Sequence, residues 1–409
     1  MKKILALILS LVFVLGMLTA CGSGAPATPA QNEQPAEKTE TPAAADAPAP
    51  AEAPAEVAAE KPSADGYKLG RIDLSVLGSP IFIAGNNLLA DLCETTGAEV
   101  VLTTLAGYDD ASFMSAYEYL IEQGCDGIVV TTFSEGPISL IADMMEEAGV
   151  DWFLANRRVT NPELLAKIQA MDTFVGNSYC EEEENAYNMV RQLHEDYGVN
   201  NLAVIGLTQG DLNGDLRDKG IARACEEFGV TLLTETRGIA TVDDVTNAVE
   251  GIVASYPELD GIFIVGGTVT TGALAGAAQA LENHGLSDKV SIAMIDISAG
   301  MSEYMGDGKP LKLVCGGNTI MDVLFSGASL INHAMGVNTD DEPYVIYTHM
   351  MTIRGDSTDA DDYDEYVENT TIPMIRGEQW YNTVIGKTMA EIQAFSDNFS
   401  IEYVKGLRG

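Results

Sequence analysis

Residues 111–155 read ASFMSAYEYLIEQGCDGIVVTTFSEGPISLIADMMEEAGVDWFLA, and this stretch decides the fold. Apolar residues at helical spacing over Ala111–Gln123 and Ile138–Ala148 alternate with short apolar runs at Gly127–Thr131 and Trp152–Ala155. A parallel pair of strands needs a long crossover, usually a helix, so this alternation is typical of βαβ units. The stretch therefore predicts a parallel sheet covered by helices.

The same alternation continues in both directions from this stretch. Upstream we predict the strand Tyr67–Val76, the helix Ile83–Thr96 and the strand Glu99–Thr104. Downstream the predicted elements, alternating strand and helix, are Leu202–Gly206, Asp218–Phe228, Thr231–Thr236, Val242–Ser255, Gly261–Val265, Thr271–His284 and Ile292–Ile295. Gly149, Gly229 and Gly285 each follow a predicted helix, where a C-terminal glycine cap is expected. The pattern predicts an α/β fold with two doubly wound parallel sheets, and the absence of a short repeat excludes solenoids and propellers.

The first 21 residues have the form of a bacterial export signal. Lys2-Lys3 precedes the uncharged apolar run Ile4–Ala20, which ends at Leu18-Thr19-Ala20-Cys21. The run is short for a transmembrane helix, which needs about 20 apolar residues. A cysteine at the cleavage site is typical of lipoproteins. We therefore predict a signal peptide over 1–21, lipid on Cys21, and a mature protein held on the extracytoplasmic face of the cell membrane by that lipid alone.

A spacer follows the predicted lipid site. Residues 22–65 are almost entirely Ala, Pro, Glu, Thr, Gly and Ser. Such a composition has no apolar face to bury, and its prolines prevent long helices, so we predict a disordered, extended tether. Spanning a cell wall is the use that this length favours.

The net charge of −39 limits the partners of the chain. Nucleic acid needs a basic surface, so binding to it is excluded, and contact with anionic lipid is disfavoured. The cysteines other than Cys21 have no CxxC spacing, which makes zinc or iron–sulfur ligation improbable and favours buried free thiols. These are Cys93, Cys125, Cys180, Cys225 and Cys315. We predict no metal and no cofactor.

Candidate binding residues are those that follow the strands, because ligands of open α/β sheets bind beyond the carboxyl ends of the strands. These segments are Leu77–Phe82, Asn156-Arg157, Thr208–Arg217, Gly266–Thr268 and Asp296. They contain polar recognition groups but no arrangement of an acid, a base and a nucleophile, so we predict that the chain is not an enzyme. The four histidines lie elsewhere in the sequence.

Asp211-x-Asn213-x-Asp215 imitates the first half of a calcium loop. Leu216 stands where such a loop has glycine, and Ala222 stands where it has its closing acid. Calcium binding is therefore disfavoured.

The order of several motifs resembles one family. Residues Lys68 to Tyr347 are similar to the ribose/galactose-type (type I) periplasmic binding proteins, the solute receptors of carbohydrate ABC transporters. The similar segments are Ile72–Phe82, Gly124–Val130, Gly149–Arg157, Leu216–Gly220 and Ala293–Asp296. The family usually has Asp-Arg where this chain has Asn156-Arg157.

This resemblance implies two lobes, joined by a hinge of three crossings, that close on a ligand. By match, the crossings fall near Gly176–Ser178, Gly316–Thr319 and Glu342–Val345. The implied division is an N-terminal lobe of residues 66–176 plus 318–343, a C-terminal lobe of 177–317 plus 344–372, and a C-terminal extension of 373–409. An extra helix is predicted over Ala390–Phe399, without a functional role.

The resemblance also implies the ligand-binding residues, which are Phe82, Asn156, Arg157, Arg217 and Asp296, with Phe133 and Tyr108 as possible additions. Each has a structural alternative. Arg157 can bridge the lobes, Asp296 can cap a helix, Phe82 can belong to the core, and Arg217 can face solvent.

Two departures from the family leave the ligand open. The second-lobe aromatic position falls near Ala240-Thr241, and the Asn-Asp position is Gly266-Gly267. Half of the expected sugar platform is therefore missing, and a larger sugar, a modified sugar or another small polar metabolite all fit the pattern. Exposed amides at Gly266-Gly267 also suit an anionic group.

The function implied is a monomeric solute-binding lipoprotein that captures a sugar and delivers it to an ABC transporter permease. The alternatives are a sensor component for chemotaxis or for a membrane kinase, a receptor for a nucleoside or similar metabolite, and an exported hydrolase. A DNA-binding regulator of related fold is excluded by the export signal.

Overall fold

The computed structural model describes residues 61–75, 80–107, 109–238, 242–266, 272–297, 300–337 and 342–408. The predicted signal peptide, Cys21 and most of the predicted tether lie outside these residues, as do Tyr108 and Ala240-Thr241. No helix in the described ranges combines the length and the apolar character that crossing a membrane requires.

The strands and helices follow the predicted alternation. The strands are β1 Lys68–Asp73, β2 Glu99–Thr104, β3 Gly127–Val130, β4 Asp151–Leu154, β5 Phe174–Tyr179, β6 Asn201–Gly206, β7 Thr231–Arg237, β8 Gly261–Ile264, β9 Ser291–Ile295, β10 Leu311–Gly316, β11 Tyr344–Tyr347 and β12 Met351–Arg354. The helices are α1 Pro80–Thr96, α2 Asp110–Glu122, α3 Ile138–Ala148, α4 Pro162–Gln169, α5 Glu182–Tyr197, α6 Leu212–Phe228, α7 Val242–Ser255, α8 Ala273–Asn283, α9 Asn318–Ala334, α10 Asp359–Tyr366, α11 Gln379–Thr383, α12 Met389–Asp397 and α13 Ile401–Arg408. Gly149 and Gly229 are left-handed C-caps of α3 and α6, as predicted.

Two six-stranded sheets form the framework. Their strand orders are β11-β5-β4-β3-β1-β2 and β12-β10-β9-β8-β6-β7. The pairs are parallel except for β10 with β12, which is antiparallel. Every residue of β3, β8 and β9 is buried, because helices cover both faces of a parallel sheet. The predicted fold class, two doubly wound parallel-sheet lobes, is confirmed.

The strand pairing corrects two boundaries taken from the resemblance. Strand β11 pairs with β5, with Tyr344 opposite Gly176, so residues 344–347 belong to the first sheet and not to the C-terminal lobe. The third crossing therefore follows Tyr347 and does not lie at Glu342–Val345. Likewise β5 continues in the first sheet to Tyr179, beyond the predicted crossing at Gly176–Ser178. A strand belongs to a sheet for as long as its backbone hydrogen bonds to the neighbouring strand continue. Sequence motifs do not show where this hydrogen bonding ends.

Helix α6 begins six residues earlier than predicted, at Leu212 and not at Asp218. The Asp211 carboxylate caps it by accepting a hydrogen bond of 2.7 Å from the backbone N–H of Gly214. This use of Asp211 accounts for the calcium-like spacing. It also sets Asn213 and Arg217 one turn apart on the same face of the helix.

The C-terminal extension packs on the first lobe. The indole Nε1 of Trp380 and the backbone N–H of Gly377 both donate to Asp91 Oδ1 on α1, at 2.7 and 2.9 Å. Gln393 on α12, within the predicted extra helix, pairs with both the N–H and the carbonyl of Tyr347. The extension thus covers the exposed edge of β11.

The five described cysteines are buried and unpaired, as predicted. Burial raises the pKa of Cys93 and Cys315 to about 12, so these thiols stay protonated.

Candidate functional site

A cavity of about 90 Å³ lies between the carboxyl ends of the two sheets. The first sheet and its helices contribute Arg71, Leu74, Phe82, Val129, Thr131, Phe133, Ala155, Asn156 and Arg157 to its wall, the second lobe contributes Leu207, Asp211, Asn213, Arg217 and Asp296, and α9 contributes Thr319, Asp322 and Val323. All five predicted site residues lie in this wall, together with Phe133.

Two wall residues stand at strand ends with left-handed backbone. Asn156 follows β4 with φ of 55°, and Asp296 follows β9 with φ of 70°. Asn and Asp tolerate this region better than most residues, and backbone of this kind concentrates at functional sites. The turn at Asn156 lets its side-chain oxygen accept from Asn318 at 3.1 Å and from Asn213, across the cleft, at 3.4 Å.

Arg157 is held by its own lobe. Its side chain, only 5% exposed, donates from Nε to the carbonyl of Thr132 and from Nη1 to the carbonyl of Asn156. The Phe133 ring lies 6.0 Å from the Arg157 guanidinium carbon. Arg157 is therefore a preorganised guanidinium in the first wall.

Arg217 is the centre of a buried charge cluster in the second wall. Its Nε donates to Glu182 at 2.7 Å, its Nη1 donates to the carbonyl of Val265 at 2.7 Å, and Asp296 Oδ2 lies 3.7 Å from Nη1. Burial opposes the charge of Arg217, but Glu182 and Asp296 outweigh burial and raise its pKa. These contacts engage Nε and Nη1, so the guanidinium of Arg217 is held beside Asp296 in the wall of the cavity.

Three residues of the cavity wall, Arg71, Asp322 and Asn213, are not among the predicted ligand-binding residues. Arg71 lies in β1, where its charge interrupts an apolar strand, and Asp322 lies in α9, where its charge interrupts an apolar helix. A charge within a buried run is the signal that would have found them. Asn213 lay within the candidate segment Thr208–Arg217 but was singled out only for the calcium-like spacing.

Asp322 is buried in a way that disfavours its charge. Burial raises its pKa to about 8. Neither carboxyl oxygen has a hydrogen bond of normal geometry, although the Ser178 hydroxyl and the Asn156 backbone N–H lie beside it. At neutral pH Asp322 is therefore mostly protonated and offers the cavity an O–H donor.

The two lobes touch across the mouth of the cavity. The backbone N–H of Leu212, at the start of α6, donates to the carbonyl of Phe133 at 3.0 Å. Phe133 in turn packs edge-on against Phe113, with ring centroids 5.2 Å apart. Phe82, on α1, is 6% exposed and presents an aromatic ring to the cavity from the first lobe. The cleft is closed in this structure.

The two positions that depart from the family pattern are only partly described. Gly266 lies against Leu207, whose side chain would be 2.9 Å from a Cβ at that position, so the glycine makes room for Leu207 in the wall. Gly267 and Ala240-Thr241 lie outside the described residues. In the described ranges, no group of three or more His, Cys, Asp or Glu side chains is placed to hold a metal ion.

Two parallel α/β lobes that close on a polar cleft define a two-lobed binding protein with the type I fold. The family model described as "Periplasmic binding protein domain" matches residues 73–316, more than half of the chain, and the chain belongs to this family. The family consists of binding proteins, in agreement with the prediction that the chain is not an enzyme. A search of curated proteins gave no match.

Solved structures show the same fold at low identity. A solute-binding protein of an ABC transporter from Bacillus halodurans C-125, with bound myo-inositol, is 16% identical, has a TM-score of 0.57 and covers 76% of this chain and 99% of its own. A periplasmic sugar-binding protein from Pseudomonas fluorescens is 15% identical, with a TM-score of 0.64 and coverages of 77% and 93%. A 5-methylthioribose transporter solute-binding protein from Thermotoga lettingae is 14% identical, with a TM-score of 0.59 and coverages of 83% and 96%.

Proposed function

We propose that this chain is the extracytoplasmic solute-binding lipoprotein of an ABC transporter, which captures one small sugar between its lobes and delivers it to the permease. The observation that carries the proposal is the closed polar cavity at the carboxyl ends of both sheets, lined by side chains of both lobes. Solute-binding proteins of this fold have been solved with bound myo-inositol, 5-methylthioribose and D-allose, which supports a polyhydroxylated solute.

The cavity size favours a single small solute. On the same measure, one water molecule needs about 10–15 Å³, so 90 Å³ corresponds to roughly six to nine water-sized groups. This is the scale of a monosaccharide and is too small for an oligosaccharide. A monosaccharide, plain or modified, is therefore preferred to the larger sugar that the sequence left open.

The chemistry of the wall suits hydroxyl groups. Asp296 accepts hydrogen bonds from one side, Arg157 donates from the other, and Phe82 offers an aromatic face. Asp296 and Arg157 belong to different lobes, so one ligand contacts both only when the cleft shuts. Ligand binding is thereby coupled to lobe closure.

We further propose that lipid on Cys21 and the tether of residues 22–65 hold the lobes outside the membrane. The support is the sequence alone, in the basic start, the apolar run and the cysteine at its end. A tethered receptor stays near its permease while the lobes remain free to open and close.

The test is a thermal-shift screen of monosaccharides, polyols and nucleosides, followed by calorimetry on the compounds that bind. A ligand at 100 times its Kd adds about 2.7 kcal/mol to the stability of the folded protein. Asp296→Asn is expected to weaken binding about tenfold or more, because hydrogen bonds to a charged group contribute about 1.5–3 kcal/mol. Asp307→Asn, the same change at an exposed position of the same lobe, is the matched control.

Small-angle scattering supplies the second readout. The ligand-free protein is expected to sample open states, so saturating ligand should reduce the radius of gyration. Stabilisation by nucleosides but by no sugar or polyol would refute the sugar assignment. Identical scattering with and without a bound ligand would refute the closure mechanism.

A further inference from the structure

The first wall of the cavity holds a buried guanidinium that lacks an ionic partner. Arg71 is 6% exposed and donates from Nη1 to Asn86 Oδ1 at 2.5 Å. Asn86 donates in turn to Asp73 Oδ1 at 2.7 Å, so the hydrogen-bond link between Arg71 and Asp73 runs through this amide. Burial lowers the pKa of Arg71 to about 10, although Asp73 opposes this shift. The charge of Arg71 is therefore incompletely compensated.

Arg157 is a second guanidinium of the same kind on the same wall. Its described contacts are to two backbone carbonyls, and among the described residues neither it nor Arg71 forms an ion pair with a carboxylate. Both positive charges act on the hydroxyl of one buried residue, Tyr117, where they oppose the effect of burial on its pKa. The two arginines, which both line the cavity, therefore lie near the same buried hydroxyl.

The remaining acid of this wall does not neutralise them. Asp322 is 1% exposed, and burial keeps its carboxyl group mostly protonated at neutral pH. It therefore adds a donor beside Arg157 and not a full negative charge. The first wall carries two cations, and Asp73, which is linked to Arg71 through Asn86, also accepts a hydrogen bond from the backbone N–H of Ser75.

The opposite wall has the reverse balance. Arg217 stands against Glu182 and Asp296, and Asp211 adds a further carboxylate that caps α6. This second wall therefore contains one guanidinium and three carboxylates. The cavity is polarised, with donors and positive charge on the first lobe and acceptors and negative charge on the second.

A buried charge without a partner destabilises the folded protein. Such a charge is therefore expected mainly where a ligand supplies the missing partner. A guanidinium pairs best with a planar carboxylate, through two parallel hydrogen bonds. We propose that the ligand is a small sugar acid, whose carboxylate lies toward Arg71 and Arg157 and whose hydroxyl groups donate toward Asp296. This inference rests on the proposed function and narrows its ligand class.

The test compares neutral sugars with their acids on the intact protein. D-galactose is paired with D-galacturonate, and D-glucose with D-gluconate, in calorimetry at low salt and at 0.5 M NaCl. Each acid is expected to bind at least about tenfold more tightly than its neutral parent, with a preference that shrinks at high salt. Arg71→Gln should abolish the preference. Arg71→Lys keeps the positive charge but lacks the paired N–H donors of a guanidinium. This variant should therefore retain part of the preference for the acid.

The control variant is Arg158→Gln. Arg158 is the chain neighbour of Arg157, but its side chain is 46% exposed and pairs with Glu181 outside the cavity. This change should leave the preference for the acid intact. A comparable loss of preference in Arg158→Gln and Arg71→Gln would mean that overall charge sets the preference, and it would overturn the assignment to the cavity.

The outcomes separate the two proposals. Neutral sugars that bind as well as or better than their acids would overturn the sugar-acid inference and leave the sugar-binding function standing. If neither sugars nor sugar acids bind, while the screen finds a nucleoside, the proposed function is overturned and this inference with it. Tight, salt-sensitive binding of an acid that depends on Arg71 supports both.

Discussion

Arg217 and Glu182 form an ion pair that is almost inaccessible to solvent, with side-chain exposures of 3% and 2% and a separation of 2.7 Å. The change Arg217→Met removes the cation and leaves the Glu182 charge buried without its partner. The carbonyl of Val265 also loses its donor. Removing one member of a buried pair typically costs about 3–5 kcal/mol, whereas replacing both members is often nearly neutral.

The assay is urea unfolding, together with thermal melting, of the ligand-free protein at pH 7. Arg217→Met is expected to lose about 3–5 kcal/mol, which is roughly 6–20 °C for lobes of this size. The double variant Arg217→Met/Glu182→Gln should recover most of the loss, because no charge remains buried. Arg223→Met, on the same helix, is the control, since Arg223 is 42% exposed in its pairs with Glu183 and Glu184 and should cost about 1 kcal/mol or less.

Two results would refute this reasoning. A loss in Arg217→Met no larger than that in Arg223→Met would mean that solvent screens the pair. A double variant as unstable as the single one would mean that the side chain of Arg217 acts through packing and that the stranded Glu182 charge is not the cause. A direct role of Arg217 in binding would then have to be reconsidered.

The buried carboxyl of Asp322, the docked C-terminal extension and the predicted lipid anchor can each be tested in the same way. The folded protein keeps the Asp322 proton up to about pH 8, whereas the unfolded chain releases it near pH 4, so this group lowers stability by up to about 1.4 kcal/mol per pH unit as pH rises between these values. The melting temperature of Asp322→Asn, relative to that of the wild type, should therefore increase from pH 4.5 to pH 8.5. Parallel melting profiles of the two proteins would contradict this. Asp91→Ala leaves the buried indole N–H of Trp380 without its acceptor, so the free energy of unfolding should fall by about 1–3 kcal/mol and the C-terminal extension should be proteolysed faster. An unchanged cleavage rate would count against the docking role of Asp91. Cys21→Ala should move the protein from the membrane fraction to the soluble fraction, and retention with lipid attached would disprove the anchor.

Local sequence patterns predicted many of the helices and strands. The helix Ile138–Ala148 and the strand Glu99–Thr104 have the predicted bounds, because a strong period and a nearby turn residue mark both ends. Helix α6 was predicted too short because Asn213, Gly214 and Asp215 are poor helix formers. Capping by Asp211 and packing in the cleft outweigh that weak propensity.

The sequence by itself determined the alternation of strands and helices, the two-sheet class and the tips that carry Phe82, Asn156, Arg157, Arg217 and Asp296. These follow from periodicity and from the rule that parallel strands present their carboxyl ends at one edge. Tertiary structure alone decided that β11 belongs to the first sheet, that Arg217 is occupied by Glu182, and that Arg71 and Asp322 face the same cavity. The reason is that partners far apart in the chain set burial and pairing, and no local pattern records which side chains meet when two sheets close on each other.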